Sequence, residues 1–396
     1  MTCVLSSLPP GTARRMPQPA VTGASGFTAN VPGGEPSGGV ARKGTTRGIG
    51  GTPKYRGVAG PGAACYGVRM SGAGGPGLDG ADIDAQASVL MQRGIRLMAE
   101  DGPGSASEAL GCFDQALELR SGLPLDESPP WRYGTAACWL NRADALMRLG
   151  GPPQVAEALR SCDQAIALLV TLPLGEDPRF PRRLSMAHHN RGLFLQADGR
   201  RPVNEAIASF DQALAVLEGT HAEGLADRQY LRAVVSMNLA NLLAGLGAPE
   251  FDSRAQAAAL HAIASVADLE REDLAAAEIG LKARHALCRT CAGRLSTVQP
   301  GAQDMPDDVH QATDAVDDGL ALVRFWEQQG EARFRNVACD LFRFGSRVYL
   351  MYQPQFLQEF LDENLDPAAS SAAYVQDQDI RAAAQEIVDL HARIYT

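Results

Sequence analysis

Glu205-Ala-Ile-Ala-Ser-Phe-Asp-Gln-Ala-Leu214 has two variants upstream, Glu108-Ala-Leu-Gly-Cys-Phe-Asp-Gln-Ala-Leu117 and Glu157-Ala-Leu-Arg-Ser-Cys-Asp-Gln-Ala-Ile166. The Asp-Gln pairs begin at 114, 163 and 211, which spaces them 49 and 48 residues apart. A second family precedes each: Gln92-Arg93-Gly94, Asn141-Arg142-Ala143, Asn190-Arg191-Gly192 and Asn238-Leu239-Ala240, at intervals of 49, 49 and 48. Two elements recurring in phase mean one structural unit repeated.

Each element reads as a helix. In Leu140–Leu149 the apolar and small residues fall at 140, 143, 146, 147 and 149, a stripe of helical period. Between the two elements lie chain breakers: Gly102-Pro103-Gly104, Gly150-Gly151-Pro152-Pro153, and Gly199 before Pro202. The unit is therefore a helical hairpin, with a first helix A and a second helix B. Longer linkers, Leu123-Pro124-Leu125 and Leu172-Pro173-Leu174, join one unit to the next. A single hairpin leaves an apolar face uncovered, so the units must stack.

Composition agrees. Hydrophobic residues make up 45% of the 396 and aromatics only 6%. Alanine and leucine carry the apolar content, which favours helix over strand. Residues 1–69 hold eight Lys/Arg against Glu35 alone, a net +7 that leaves −17 on the rest of a chain totalling −10. An acidic body repels phosphate backbones, so nucleic acid is not the expected partner and a neutral or basic peptide is. Residues 1–83, rich in Gly, Pro, Ala, Ser and Thr, show no apolar periodicity and are expected to form a disordered tail. Three readings of that tail compete: a flexible arm, a transit segment, or an upstream extension of a protein starting at Met70. No run of 18 apolar residues is present, so no membrane span is expected. Of the eight cysteines, Cys112, Cys138, Cys162 and Cys339 fall inside helical apolar patterns as small hydrophobes, which fits a reducing, cytoplasmic setting.

These units resemble the tetratricopeptide repeat. The family alternates small and large residues where helices A and B approach. The matching triplets in helix B are Ala109/Phe113/Ala116, Ala158/Cys162/Ala165, Ala206/Phe210/Ala213 and, weakly, Ala255/Ala259/Ala262, opposite Gly94, Ala143, Gly192 and Ala240 in helix A. The chain departs from the family in its period, 48–49 residues against 34, and in an arginine at the first large position of helix A in three units. The resemblance implies an all-α, right-handed α-solenoid. Its repeats would span 84–280, with degenerate repeats and a capping helix (Val375–Tyr395) over 281–396. The fifth, decayed hairpin is placed at 281–294 and 314–328, around a polar insertion at 299–308.

The resemblance also implies a function: a non-catalytic scaffold that binds an extended peptide in a concave groove lined by successive A helices. In some members an asparagine ladder hydrogen-bonds the peptide backbone, which suits an amide because it offers donor and acceptor together. Asn141, Asn190, Asn238 and Asn336 are read as that position, and the expected groove residues are Asn141, Asp144, His189, Asn190, Met237, Asn238 and Asn241. The competing reading is that each asparagine bonds a neighbouring helix. The family's carboxylate clamp is not expected, because the first unit offers Met91 and Ile95 where it needs Lys and Asn. The recurrent Arg93, Arg142 and Arg191 are expected to pair with the recurrent Asp114, Asp163 and Asp211.

His285, Cys288 and Cys291 have the i, i+3, i+6 spacing of metal ligands on one helix face, with His310 or Cys339 as a fourth. Without a second Cys-x-x-Cys pair they read as buried side chains, so no metal or other cofactor is expected. A metal- or thiol-dependent enzyme built on them is the first alternative to the scaffold. The second is a sensor region of a multi-protein signalling system. His-Glu-x-x-His, Gly-x-Ser-x-Gly and a phosphate loop are lacking, so no enzymatic activity is expected.

Overall fold

A computed structural model describes residues 79–100, 102, 104–219, 225–295, 307–365 and 378–395. Of the expected tail over 1–83, residues 1–78 lie outside the described residues and 80–83 open the first helix. Of the expected insertion over 299–308, residues 299–306 lie outside and 307–308 open a helix; 296–298 and 366–377 also lie outside. Among the described residues there are thirteen α-helices and no strand. The A helices are α1 (Gly80–Ala99), α3 (Pro129–Leu149), α5 (Arg179–Asp198) and α7 (Leu225–Leu246). Their B partners are α2 (Ser105–Arg120), α4 (Pro152–Leu169), α6 (Val203–Glu218) and α8 (Pro249–Val266). Then come α9 (Leu274–Leu295), α10 (Asp307–Gln328), α11 (Arg335–Tyr352), α12 (Leu357–Leu365) and α13 (Gln378–Tyr395).

Local chemistry sets the helix ends. The Ser128 side chain accepts from the Trp131 amide at the start of α3, where prolines occupy the first turn and cost no hydrogen bond. The α3–α4 turn needs Gly150 at φ +70° and Gly151 at φ +89°, a region that side chains disfavour. The shortness of such turns makes each A and B antiparallel neighbours.

Every helix packs on the next, α1 on α2 through to α10 on α11. Each A helix also touches the next A helix, α1 on α3, α3 on α5, α5 on α7, α7 on α9 and α9 on α11. The B helices α2, α4, α6 and α8 fill the spaces between successive A helices. This is a helical solenoid whose A helices form the closely spaced inner layer. Its core is a strip, not a ball: one buried cluster runs from Ala136 on α3 to Ala255 on α8, and another from Ala240 on α7 to Ile387 on α13.

The A–B contact follows the small–large pattern read from the sequence. A Cβ at Gly94 would lie 2.5 Å from Phe113, and one at Gly192 would lie 2.8 Å from Phe210. Where helix A has Ala143 or Ala240, helix B has the smaller Cys162 or Ala259, all fully buried. A bulky side chain on helix B is thus met by glycine on helix A, and alanine appears on helix A only where the helix B residue is small, so that the close contact stays free of overlap.

The expected cores of the decayed hairpin, 281–294 and 314–328, lie inside α9 and α10. The expected capping helix is α13, which lies on α11 with Ala384 and Ile387 buried; its first expected residues, 375–377, are outside the described ones. Asn336 does not join the ladder. It is exposed in the first turn of α11, whereas ladder residues sit past the middle of their helices. The close-approach position of α11 is Gly345, where a Cβ would lie 2.5 Å from Val316. Counting two periods from Asn238 fails because α9, at 274, starts 49 residues after α7, at 225, but α11, at 335, starts 61 after α9. No described helix is long and apolar enough to cross a membrane.

Candidate functional site

The inner layer carries a line of polar side chains on α3, α5 and α7, tied to one another and, at its end, to the backbone of α9. Asn190 Nδ2 donates to Asp144 Oδ1 at 3.3 Å, joining α5 to α3. Asn238 Nδ2 lies 2.8 Å from His189 Nε2, joining α7 to α5. Asn241 Nδ2 donates to the Met237 carbonyl at 2.9 Å and to the Lys282 carbonyl at 3.4 Å, joining α7 to α9. Asp144, Asn190, Asn238 and Asn241 are half-buried.

The remaining expected groove residues are more enclosed. Asn141 is 7% exposed and Met237 likewise. Met237 belongs to the α7–α9 core with Val234 and Ile279. His189 is 8% exposed, its ring 5.8 Å from that of Phe210. His189 and Met237 each precede a ladder asparagine by one residue. One residue on a helix is a rotation of about 100°, which turns these two from the open face toward helix B.

The recurrent arginines pair as expected in the two central units. Arg142 Nε bonds Asp114 at 2.7 Å and Arg191 Nε bonds Asp163 at 2.8 Å, each reaching the B helix of the preceding unit. The same guanidiniums reach Ser161 and Ser209 on their own B helices, at 2.7 and 2.9 Å. One arginine thus spans three helices. Asp211 pairs instead with Arg254, because the third position of the series is Leu239. The serine partners were missed at the level of sequence, although Ser161 and Ser209 stand in register four residues after Glu157 and Glu205.

His285 lies 3.8 Å from Asp340, while Cys288 and Cys291 are buried free thiols and His310 is exposed at the start of α10. Among the described residues no group of three His, Cys, Asp or Glu side chains converges as metal ligands would. Burial raises the Cys288 thiol well above its usual range and pushes Cys291 up to about 11. A reactive thiol needs the opposite shift, so this arrangement does not favour thiol chemistry.

Two titratable groups in the inner line are displaced in opposite senses. Burial pushes Asp144 up to about 7, against the partial relief of Arg148 and Arg183. Burial lowers His189 to about 4, and it lowers His188 to about 4 with help from Arg191. Between pH 4 and 6.5 the unfolded chain binds more protons at the two histidines, so stability there rises with pH, by roughly 3 kcal/mol per imidazole over the window. Asp144 acts the other way: between pH 3.8 and 7 the folded chain holds the extra proton, so stability falls as pH rises. The histidines outweigh it two to one. Urea midpoints should therefore drop as pH is lowered from 6.5 to 4, and more steeply in Asp144→Asn, which lacks the opposing group. A flat profile would mean that the imidazoles are not buried in their neutral form.

No protein-family model matches the chain, and no curated protein matches it. Among solved structures it is similar to one described as the crystal structure of BtubC (BKLC) from P. vanneervenii. The two are 14% identical with a TM-score of 0.43, over 73% of this chain and 92% of that one.

Proposed function

We propose that the chain is a non-catalytic scaffold of the tetratricopeptide type, which holds an extended segment of a partner protein against the inner faces of α3, α5, α7 and α9. The observation that carries this reading is how the amides of Asn238 and Asn241 are spent. Each uses its nitrogen on the neighbouring A helix, and neither amide oxygen has a partner among the described residues. The nitrogen bond fixes the rotamer. The oxygen is left to accept a backbone N–H from a ligand, with little side-chain entropy still to lose. The placement favours an extended chain, because half-buried amides stand on successive A helices, Asn190 on α5 and Asn238 and Asn241 on α7, and an extended peptide presents backbone donors at regular intervals along such a line. The acidic body favours a neutral or basic partner over nucleic acid.

A pull-down with the full chain, compared with Asn190→Ala/Asn238→Ala, tests this. The double variant should stay folded by circular dichroism, because the A–B core does not use these amides, and should lose captured partners at least tenfold. A folded double variant that keeps every partner at full strength rules the amide line out as the binding surface.

A further inference from the structure

Asp144 is out of balance with its surroundings. Its carboxylate can accept about four hydrogen bonds. Among the described residues it receives one, the 3.3 Å contact from the neutral Asn190 amide. Two guanidiniums are near enough to be felt, yet neither pairs with it. Arg148, on the same helix, donates to the Met98 carbonyl of α1 at 2.5 Å, and Arg183, from α5, donates to the Tyr133 hydroxyl at 3.1 Å. The other titratable group that feels it is the Cys162 thiol of α4, which burial keeps neutral. A partly desolvated carboxylate with one weak donor and, among the described residues, no ion-pair contact destabilises the fold, and the more distant Arg148 and Arg183 offset this only in part. The repeat does not require it, since the equivalent positions in the next two A helices are Leu193 and Asn241. The side chain is half-buried on the open inner face, so an incoming group can reach it.

We propose that Asp144 is where the groove reads a positive charge: a lysine or arginine side chain of the bound segment pairs with this carboxylate, beside the Asn190 amide. This rests on the inner face being the binding surface, and it adds to that reading the chemistry of one ligand position. A cation needs the ionised carboxylate, so binding below neutral pH expels a proton to solvent. Affinity therefore weakens on acidification. With the free carboxyl titrating at about 7, the loss between pH 7.5 and 5.5 is about 25-fold.

The test is to select random dodecapeptides on phage against the full chain and against Asp144→Asn, at pH 7.5. The asparagine keeps an acceptor for Asn190 and removes a desolvated charge, so the variant should melt no lower than the parent; Asp144→Ser replaces it if it does. Peptides competed away by the Asn190→Ala/Asn238→Ala changes are the ones scored. The expected result is enrichment of lysine or arginine at one peptide position on the parent and none on the variant. The best such peptide should bind about 25-fold more weakly at pH 5.5 than at 7.5, and a peptide selected on the variant should change by less than about twofold. Groove-bound peptides without a basic position, with an acidic one, or with the same enrichment on both proteins overturn the role of Asp144 and leave the groove standing. If no selected peptide depends on Asn190 and Asn238, the groove reading fails, and this one with it.

Discussion

Alanine at position 210 is expected to lower the unfolding free energy by about 3–5 kcal/mol, because Phe210 is fully buried and fills the gap left by Gly192 on the facing helix. The array cannot close that cavity by shifting one helix, since α6 is held by α5 on one side and α7 on the other. The more informative experiment is a cycle. Gly192→Ala brings a Cβ to 2.8 Å of the Phe210 ring, and the overpacking costs about 1–3 kcal/mol, partly offset by the better helix propensity of alanine. Phe210→Cys alone leaves a cavity. The two together recreate the Ala143/Cys162 pair of the preceding unit, so the double variant should be more stable than the sum of the single losses by about 1 kcal/mol or more. Stacked hairpins can open locally, so urea denaturation should be paired with hydrogen exchange at the amides of α5 and α6. Strict additivity would show that the glycine is not set by the phenylalanine.

The second large effect lies where the array loses its regular period. Arg284 on α9 and Glu270, in the turn before it, form a bidentate pair at 2.5 and 3.0 Å, with side chains only 7% and 8% exposed. The Glu270 carbonyl also accepts from the Trp326 indole of α10 at 2.8 Å. Removing one partner leaves a buried charge alone, so Glu270→Gln or Arg284→Met should cost about 3–5 kcal/mol. Replacing both, as Glu270→Leu/Arg284→Met, should recover most of the loss, because two apolar side chains have no desolvation cost to offset. Gly280→Ala should behave like Glu270→Gln: the new Cβ would fall 1.6 Å from Glu270 Oε1 and push the carboxylate out of its site. With Trp131 and Trp139 changed to phenylalanine, the remaining Trp326 reports directly, and its emission should move to longer wavelength in each single variant. Single variants as stable as the parent would show that the pair contributes nothing to the α8–α10 junction.

Much of the fold was legible because a repeat states the same constraint several times. Gly94, Ala143, Gly192 and Ala240 facing Phe113, Cys162, Phe210 and Ala259 can be paired on paper, because a bulky residue on one side of a close contact requires glycine on the other. The arginine series was legible for a similar reason: Arg142 and Arg191 keep a constant distance along the chain from Asp114 and Asp163. The loss of register after α9 was not legible. Asn336 matches by counting, but nothing in the residue string marks that α11, at 335, starts 61 residues after α9, at 274, where α9 starts 49 after α7, at 225. The Glu270–Arg284 pair was missed for a related reason: it occurs once, so no repetition draws attention to it.

The sequence by itself determined that the chain is a stack of helical hairpins, which faces of those hairpins are hidden, and where each close contact falls, because 3.6-residue periodicity and residue volume act locally and recur in every unit. Only the tertiary structure decided which polar groups meet across the inner layer. Asn190 reaches Asp144, three residues beyond its own counterpart Asn141, whereas Asn238 reaches His189, one residue short of its counterpart Asn190. That offset depends on how each hairpin is tilted and displaced on the one before, a rigid-body relation between units that no spacing within the chain records. It is also what sets Asp144 against the Asn190 amide instead of against a guanidinium.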